Sequence, residues 1–381
     1  DFRVVAMPFS RYYQTGATVW QGGTQAYDVF VHRIDGYAGP VTIAAEKLPA
    51  GVTAKSITIG PAARWGTLVL TATADAKMSE GTFTLKATGT DVAGKPTTRE
   101  VRSAAVIWGL NFQQQQAPVI SRLDQSFVLA VRAEKAIYAL APDLAKAVTK
   151  VNNKDEKVAA PFAVKQGQKF TVPVKVNWLT GEKQPVQLTP EPIALNAQTS
   201  PINVQIPTQP TKDNPEGVAN FDVKSNALPG TYYFVLRGTA QVLFTKDPMA
   251  KQKGPNIPVE EFSEPIAVTV IPKSVAKVTI ANLPNNTLKL GAKGELTVKV
   301  ERQYDFAGEF QVKVELPKGT AGVTAADVTI PAGKNEAKIE LKAAKDAKPA
   351  AVNNVVITVT ATYDGKHKLT EEAKVTFTIA K

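Results

Sequence analysis

Apolar and polar residues alternate with a period of two along most of the chain. In AYDVFVHRI (26–34) Tyr27, Val29 and Val31 fall on one face of an extended segment. TLVLTATA (67–74), GTFTLKATGT (81–90), KFTVPVKVNW (169–178), GTYYFVLRG (230–238), EPIAVTVIP (264–272), GELTVKVERQ (294–303), AKIELKAA (337–344) and NVVITVTATYD (354–364) alternate likewise, or are short apolar runs rich in Val, Ile, Thr and Tyr. Turn-forming GGT (22–24), GP (39–40), LPAG (48–51), NPEG (214–217) and LPG (228–230) separate them. Short strands punctuated this often predict an all-β chain of immunoglobulin-like sandwiches. The 26 prolines suit loops and sheet edges, because Pro cannot donate to a ladder. APDLAKAVTKVNNKDEKV (141–158) breaks the pattern: its polar NNKDEK has no apolar face, and a mobile loop is expected there.

One phrase occurs twice. VFVHRIDGYAGPVTIAAEKLPAGVTAKSITI (29–59) and VKVERQYDFAGEFQVKVELPKGTAGVTAADVTI (298–330) share Val29/Val298, Val31/Val300, Arg33/Arg302, Tyr37/Phe306 and Gly39/Gly308. They also share a Leu-Pro pair, GVTA at 51–54 and 322–325, and the same spacing onward to Asp75-Ala76 and Asp346-Ala347. Such self-similarity marks a duplicated structural unit. Each shared word reads as a fold instruction. Val points inward and Arg outward, the aromatic closes the end of the core, Gly turns the chain, and Leu-Pro plugs and bends the next loop. As core aromatics, Tyr37 and Phe306 are each expected to be worth about 3–5 kcal/mol on truncation to Ala.

The middle of the chain carries a worn third copy. KFTVPVKVNW replaces the VxVxR strand, TPEPIALNA (189–197) replaces the LPxGVTA loop, and LPGTYYFVLRG resembles EGTFTLKATG (80–89). Three tandem sandwiches are therefore expected, over 1–118, 119–272 and 273–381, with junctions at QQQQAP (113–118) and VIPKS (270–274).

Composition narrows the function classes. A chain of 381 residues with 44% hydrophobic residues suits several folded domains. It holds no apolar run of about 18 residues, so no membrane span is expected. It opens in the strand-like DFRVVAM with no leader, and is expected to be a mature product or a piece of something longer. Cysteine is absent, which removes disulfides, thiolate nucleophiles and cysteine-bound zinc. The net charge of +11 is spread out: 11 basic and 8 acidic residues in 1–120, 17 and 14 in 121–272, 17 and 12 in 273–381. No part is a basic stripe of the nucleic-acid kind, and a weak affinity for acidic polymers is what remains.

DFRVVAMP (1–8), VHRIDGYAGPVTIAAEKLPAGVTA (31–54), REVRSAAVIW (99–108), APVISRLDQSFVLAVRAEKAIYAL (117–140) and LPGTYYFVLRGTAQVLFTKDPMAKQKG (228–254) resemble the Ig-like modules of large secreted and surface proteins of planctomycete bacteria. Those proteins often carry bacterial pre-peptidase C-terminal domains. The resemblance covers about two-thirds of the chain and implies an extracellular or envelope location, a multidomain parent and modules without catalysis. The chain departs from it at Ala54, where many relatives carry cysteine, and shows no pre-peptidase C-terminal domain.

Candidate chemistry is sparse. His32 lies on an alternating strand and His367 in the hairpin YDGKHK, both expected to face solvent, and no His-x-x-His spacing exists. Neither a G-x-S-x-G elbow nor a phosphate-binding glycine motif occurs. The acids of Glu260-Glu261 diverge if the segment is extended. Calcium is the metal to consider, through Asp35 with Asp75 and through Asp213 with Asn214, although each is also an ordinary turn former. Tyr12, Tyr13, Trp20 and Trp65 are the rings available for a sugar or protein contact, Trp65 in a turn, unless Trp20 and Trp108 fill core ends. Lys246, Lys251 and Lys253 sit in 242–268, expected to be a contact loop or a disordered tip. Together these features point to a non-catalytic rod of Ig-like domains with a structural, adhesive or assembly role. Partners would be other protein domains or further copies of the chain. The alternatives are a module binding an acidic or neutral polysaccharide, and the accessory stalk of a larger secreted hydrolase.

Overall fold

The structure, a computed structural model, describes residues 1–9, 17–61, 63–91, 94–107, 120–151, 154–158, 160–181, 183–192, 200–243 and 254–381. They form tandem immunoglobulin-like β-sandwiches, divided into two compact units, Asp1–Ile271 and Pro272–Lys381.

In the first unit, strands Ile120–Asp124, Arg102–Ile107, Phe2–Pro8, Thr24–Arg33, Trp65–Ala72 and Val52–Ala54 make one sheet in that order. Ala17–Gln21, Phe127–Lys135, Ser79–Thr90, Val41–Glu46 and Ile57–Ile59 make the facing sheet, with Pro96–Glu100 along Ser79–Thr90. The alternation expected at Tyr27, Val29 and Val31 is present, and all three enter a core with Phe83, Leu85 and Phe127. The domain end expected at residue 118 needs correction. Phe127–Lys135 pairs antiparallel with Ser79–Thr90 and parallel with Ala17–Gln21, so the first sandwich takes strands from beyond that point, up to Lys135. The glutamine run and Trp108 lie outside the described residues.

The next two sheets share a second core around Tyr138, Phe170, Phe221 and Val268. One contains Lys154–Lys157, Val148–Val151, Lys169–Trp178, Glu216–Val223 and Ile202–Thr208, with Tyr138–Pro142 also on Lys169–Trp178. The other contains Phe162–Lys165, Ile266–Ile271, Gly230–Leu243 and Val186–Glu191, with Asn256–Phe262 also on Gly230–Leu243. The loop expected over 141–158 is instead a short 3-10 turn, Leu144–Lys146, followed by the hairpin Val148–Val151/Lys154–Lys157. The β-branched Val148 and Thr149 extend the sheet against Thr171 and Phe170, and the Thr149 hydroxyl donates to the Lys169 carbonyl at 2.5 Å.

The unit Pro272–Lys381 pairs a sheet of Ala276–Ala281, Lys293–Arg302, Glu336–Ala343 and Val323–Ala325 with one of Thr287–Lys289, His367–Ala380, Ala350–Tyr363, Phe310–Glu315 and Val328–Ile330. Leu296, Val298, Ile339, Ile357 and Phe377 are buried in it.

The duplicated phrase acquires physical content here. Arg33 turns its guanidinium onto the carbonyls of Gly39, Gly60 and Ala63, and Arg302 does the same to Phe306, Gly308, Pro331 and Lys334. Neither arginine simply points outward: each clasps the loop ends that its own strand leads into. The aromatic folds back over its glycine, so a Cβ at Gly39 would sit 2.8 Å from Tyr37, and one at Gly308 2.5 Å from Phe306. Gly51 and Gly322, at φ +80° and +77°, press on Ala76 and Ala347, which is why the spacing to Asp-Ala is kept. Tyr37 and Phe306 are half-buried, less than core aromatics would be. Both lie over loops at the sandwich end, Tyr37 donating its hydroxyl to Pro40 and Phe306 lying under Arg302.

Candidate functional site

Two strands of the first unit are buried on both faces. Trp65–Ala72 contains Leu68-Val69-Leu70 and Gly230–Leu243 contains Phe234-Val235-Leu236, all buried. In the first strand Leu68 and Leu70 enter the core of the first sandwich, while Val69 and its cross-strand neighbour Ala26 face outward. That outer face is covered by Val235 and Phe262 of the second sandwich, together with Phe9. Phe9 meets Phe262 edge-on at 5.1 Å. The second sandwich thus docks on a sheet face of the first, whereas a simple rod of Ig-like domains would join them end to end.

Small residues and polar groups set the fit. Gly60 lies under the Tyr232 ring and Gly230 against Pro61, and neither site has room for a Cβ. Trp20 packs onto the second core and Tyr233 onto the first. Glu261, 4% exposed, reaches the turn of the first sandwich. Its Oε2 accepts from the Thr24 amide at 2.8 Å and the Thr24 hydroxyl at 2.6 Å, and that hydroxyl accepts from the Phe262 amide at 2.7 Å. Burial pushes the Glu261 carboxyl up to about 7, and the two Thr24 bonds only partly offset this. Beside it Arg237 donates through Nε to Glu191 at 3.0 Å and through Nη1 to Glu260 at 2.5 Å, and its guanidinium lies 5.4 Å from the Phe9 ring centre. The Ser263 hydroxyl, fully buried, accepts from the Leu236 amide and donates to the Glu264 carbonyl. Of these groups Glu261 hydrogen-bonds across the seam, while the arginine, Glu191, Glu260 and the serine brace the strands of the second sandwich that face it.

The expected site residues are placed as follows. Asp35 and Asp75 lie beyond opposite ends of the Thr24–Arg33/Trp65–Ala72 pair, about 30 Å apart from the strand rise, and cannot share an ion. Asp213 and Asn214 form a turn in which Asn214 Oδ1 accepts from the Glu216 amide at 3.1 Å. Among the described residues no cluster of three or more His, Asp or Glu has metal-binding geometry. Trp65 opens a strand instead of sitting in a turn, and stacks on Phe30 at 5.4 Å. Tyr12, Tyr13, Lys246, Lys251 and Lys253 lie outside the described residues. The rest of the expected contact loop holds the strand Asn256–Phe262, which carries the seam residues Glu260, Glu261 and Phe262. Their side chains do diverge, Glu260 to Arg237 and Glu261 to Thr24. His32 is exposed, while His367 is half-buried at the start of its strand. The seam residues escaped the sequence reading. Their only local trace is the unbroken apolar triplet in each of two strands, where one-sided burial would alternate.

The duplicate supplies a control. Thr24, Ala26, Phe30, Trp65, Thr67 and Val69 correspond in register to Lys293, Glu295, Lys299, Glu336, Lys338 and Glu340. There the outer face is an ion-pair lattice: Lys293–Glu340 and Lys338–Glu295 at 2.9 Å, and Lys299–Glu336 at 3.8 Å.

No protein-family model matches the chain, and no curated protein matches it. Solved structures with partial likeness include an ICAM-5 D1–D4 ectodomain fragment, 12% identical over 100% of this chain and 77% of that one, at a TM-score of 0.26. A marsupial T cell receptor is 9% identical over 98% of this chain and 99% of that one, at 0.22. A mutant Salmonella alpha-2-macroglobulin is 12% identical over 100% of this chain and 32% of that one, at 0.25. No helix among the described residues is long and apolar enough to cross a membrane.

Proposed function

We propose that the chain is a non-catalytic structural or adhesive module of a secreted or cell-envelope protein, built from three Ig-like sandwiches. One observation carries this reading. The groups near the seam best suited to chemistry are all engaged structurally: Glu261 accepts hydrogen bonds from Thr24 of the first sandwich, while Arg237, Glu191, Glu260 and Ser263 are tied up in hydrogen bonds within the second. Partners meet such a module through sheet faces, edges and loops. The words shared with Ig-like modules of planctomycete surface proteins support the location and a large parent protein. Light scattering at low and high salt tests the reading. A native mass above 40.7 kDa that falls as salt rises supports assembly through the charged surface. A mass of 40.7 kDa in every buffer removes self-assembly and leaves adhesion to other molecules.

A second reading, binding of an acidic polysaccharide, rests on the half-buried stacked pair Phe30–Trp65 on an outer sheet face. Trp20 no longer supports it, since its ring packs against the second core. Retention on an acidic polysaccharide matrix that is lost in Trp65→Ala would favour this reading.

A further inference from the structure

We propose that Glu261 is a pH-operated latch, its carboxyl closing the seam between the first two sandwiches when protonated and loosening it when ionised. The geometry carries the argument. Glu261 belongs to the second sandwich, is 4% exposed, and has its two hydrogen bonds with one residue of the first, Thr24. The turn it meets, Gly22–Thr24, carries no titratable side chain, and Ala136 packs on the same spot. From its own sandwich the titratable neighbours are Tyr138, Glu260, Glu191 and Arg237. The Tyr138 hydroxyl is turned away, onto the carbonyls of Gly238 and Val259. Arg237 is engaged by two other carboxylates, Glu191 and Glu260. Ionised Glu261 therefore places a negative charge in a buried site without a cation of its own, and it is this burial that resists ionisation. In the other copy the Thr24 position is Lys293, paired with Glu340 on an open surface, so the fold itself does not call for a buried acid here.

The direction follows from linkage. The docked carboxyl titrates near 7 and the freed one in the ordinary range near 4.5. Docking is therefore tightest below the lower value, weakens as pH rises from the lower value to the upper one, and levels off above it, by a limit of about 300-fold. An acidic medium near or below the lower value would lock the two sandwiches into one block, and a neutral one would already let them move apart about the strand that joins them.

The test uses the full chain. Amide hydrogen exchange at Thr24 and Phe262, whose N–H groups are both bonded within the latch, is followed from pH 5 to pH 9 and corrected for intrinsic rates. Over this range protection should fall by up to about 80-fold in the wild type and stay flat in Glu261→Gln, with amides of Pro272–Lys381 as the internal reference. In parallel, the Glu261 carboxyl carbon is titrated by NMR in the wild type, which decides the matter even if the variant fails to fold. A midpoint near 7 supports the latch. A midpoint near 4.5, flat wild-type protection, or an unchanged slope in Glu261→Gln overturns it.

Discussion

Truncating Phe262 to Ala should separate the two sandwiches of the first unit without emptying either core. Phe262 is 5% exposed, and its neighbours are Ala26 and Val69 of one sandwich, Val235 of the other, and Phe9. It belongs to neither principal core. Removing a buried phenyl costs about 3–5 kcal/mol, because the ring's transfer energy is lost and a cavity remains. The unit spans Asp1–Ile271. At about 2.1 cal/mol/K per residue its unfolding entropy is about 0.6 kcal/mol/K, so the midpoint should drop by about 5–9 °C. Differential scanning calorimetry should show that drop in the larger transition while the transition of Pro272–Lys381 stays in place. The larger transition should also broaden or split, because the lost contact lies between the cores. An unmoved larger transition would mean that the seam contributes nothing to stability, and the reasoning built on it would fail.

Tyr37→Ala and Phe306→Ala, as half-buried loop covers, should each cost about 2–3 kcal/mol in urea unfolding of their own unit, below the range for a core ring. Arg302→Lys keeps the charge but loses the planar fork that holds four loop carbonyls, and should lower the stability of Pro272–Lys381 by about 1–2 kcal/mol. Exchanging matched outer-face residues should be asymmetric. Val69→Glu buries a charge under Phe262 and should undock the sandwiches, seen as loss of amide protection at Thr24. Glu340→Val removes only solvent-exposed pairs and should change stability by less than about 1 kcal/mol.

The inner faces of the sandwiches were legible because burial on one side of a strand leaves a period-two trace. Tyr27, Val29 and Val31 are inward as that trace requires, and the words shared by the duplicates correspond to shared contacts. Pairings across long stretches of chain left no such trace. Nothing near Phe127 says that its strand returns to Ser79–Thr90 instead of starting a new domain, so a glutamine-rich stretch read as the boundary. Nothing near Glu261 names Thr24, which is far away in sequence. The polar letters of 148–157 argued for a loop, yet an open sheet edge beside Thr171 and Phe170 was enough to recruit Val148 and Thr149 as a strand. Local propensity is a weak vote wherever a ladder offers partners.

The two copies show where association is written. Their strands, clasping arginines and ring-covered glycines are held in common, so these features belong to the fold. What differs is the outer row of two paired strands. Ala26 and Val69 lie under another sandwich, while Glu295 and Glu340 lie in an exposed lattice with Lys338 and Lys293. Stability alone does not account for that lattice, because exposed ion pairs each contribute about 0–1 kcal/mol. Its stronger effect is exclusion: covering this face with an apolar surface would desolvate several charges at once, whereas covering Ala26 and Val69 desolvates none. The same backbone face therefore accepts an Ig-like neighbour in one copy and rejects one in the other. A few alternating residues make that choice, so a change of partner would require rewriting those positions and could leave both cores untouched.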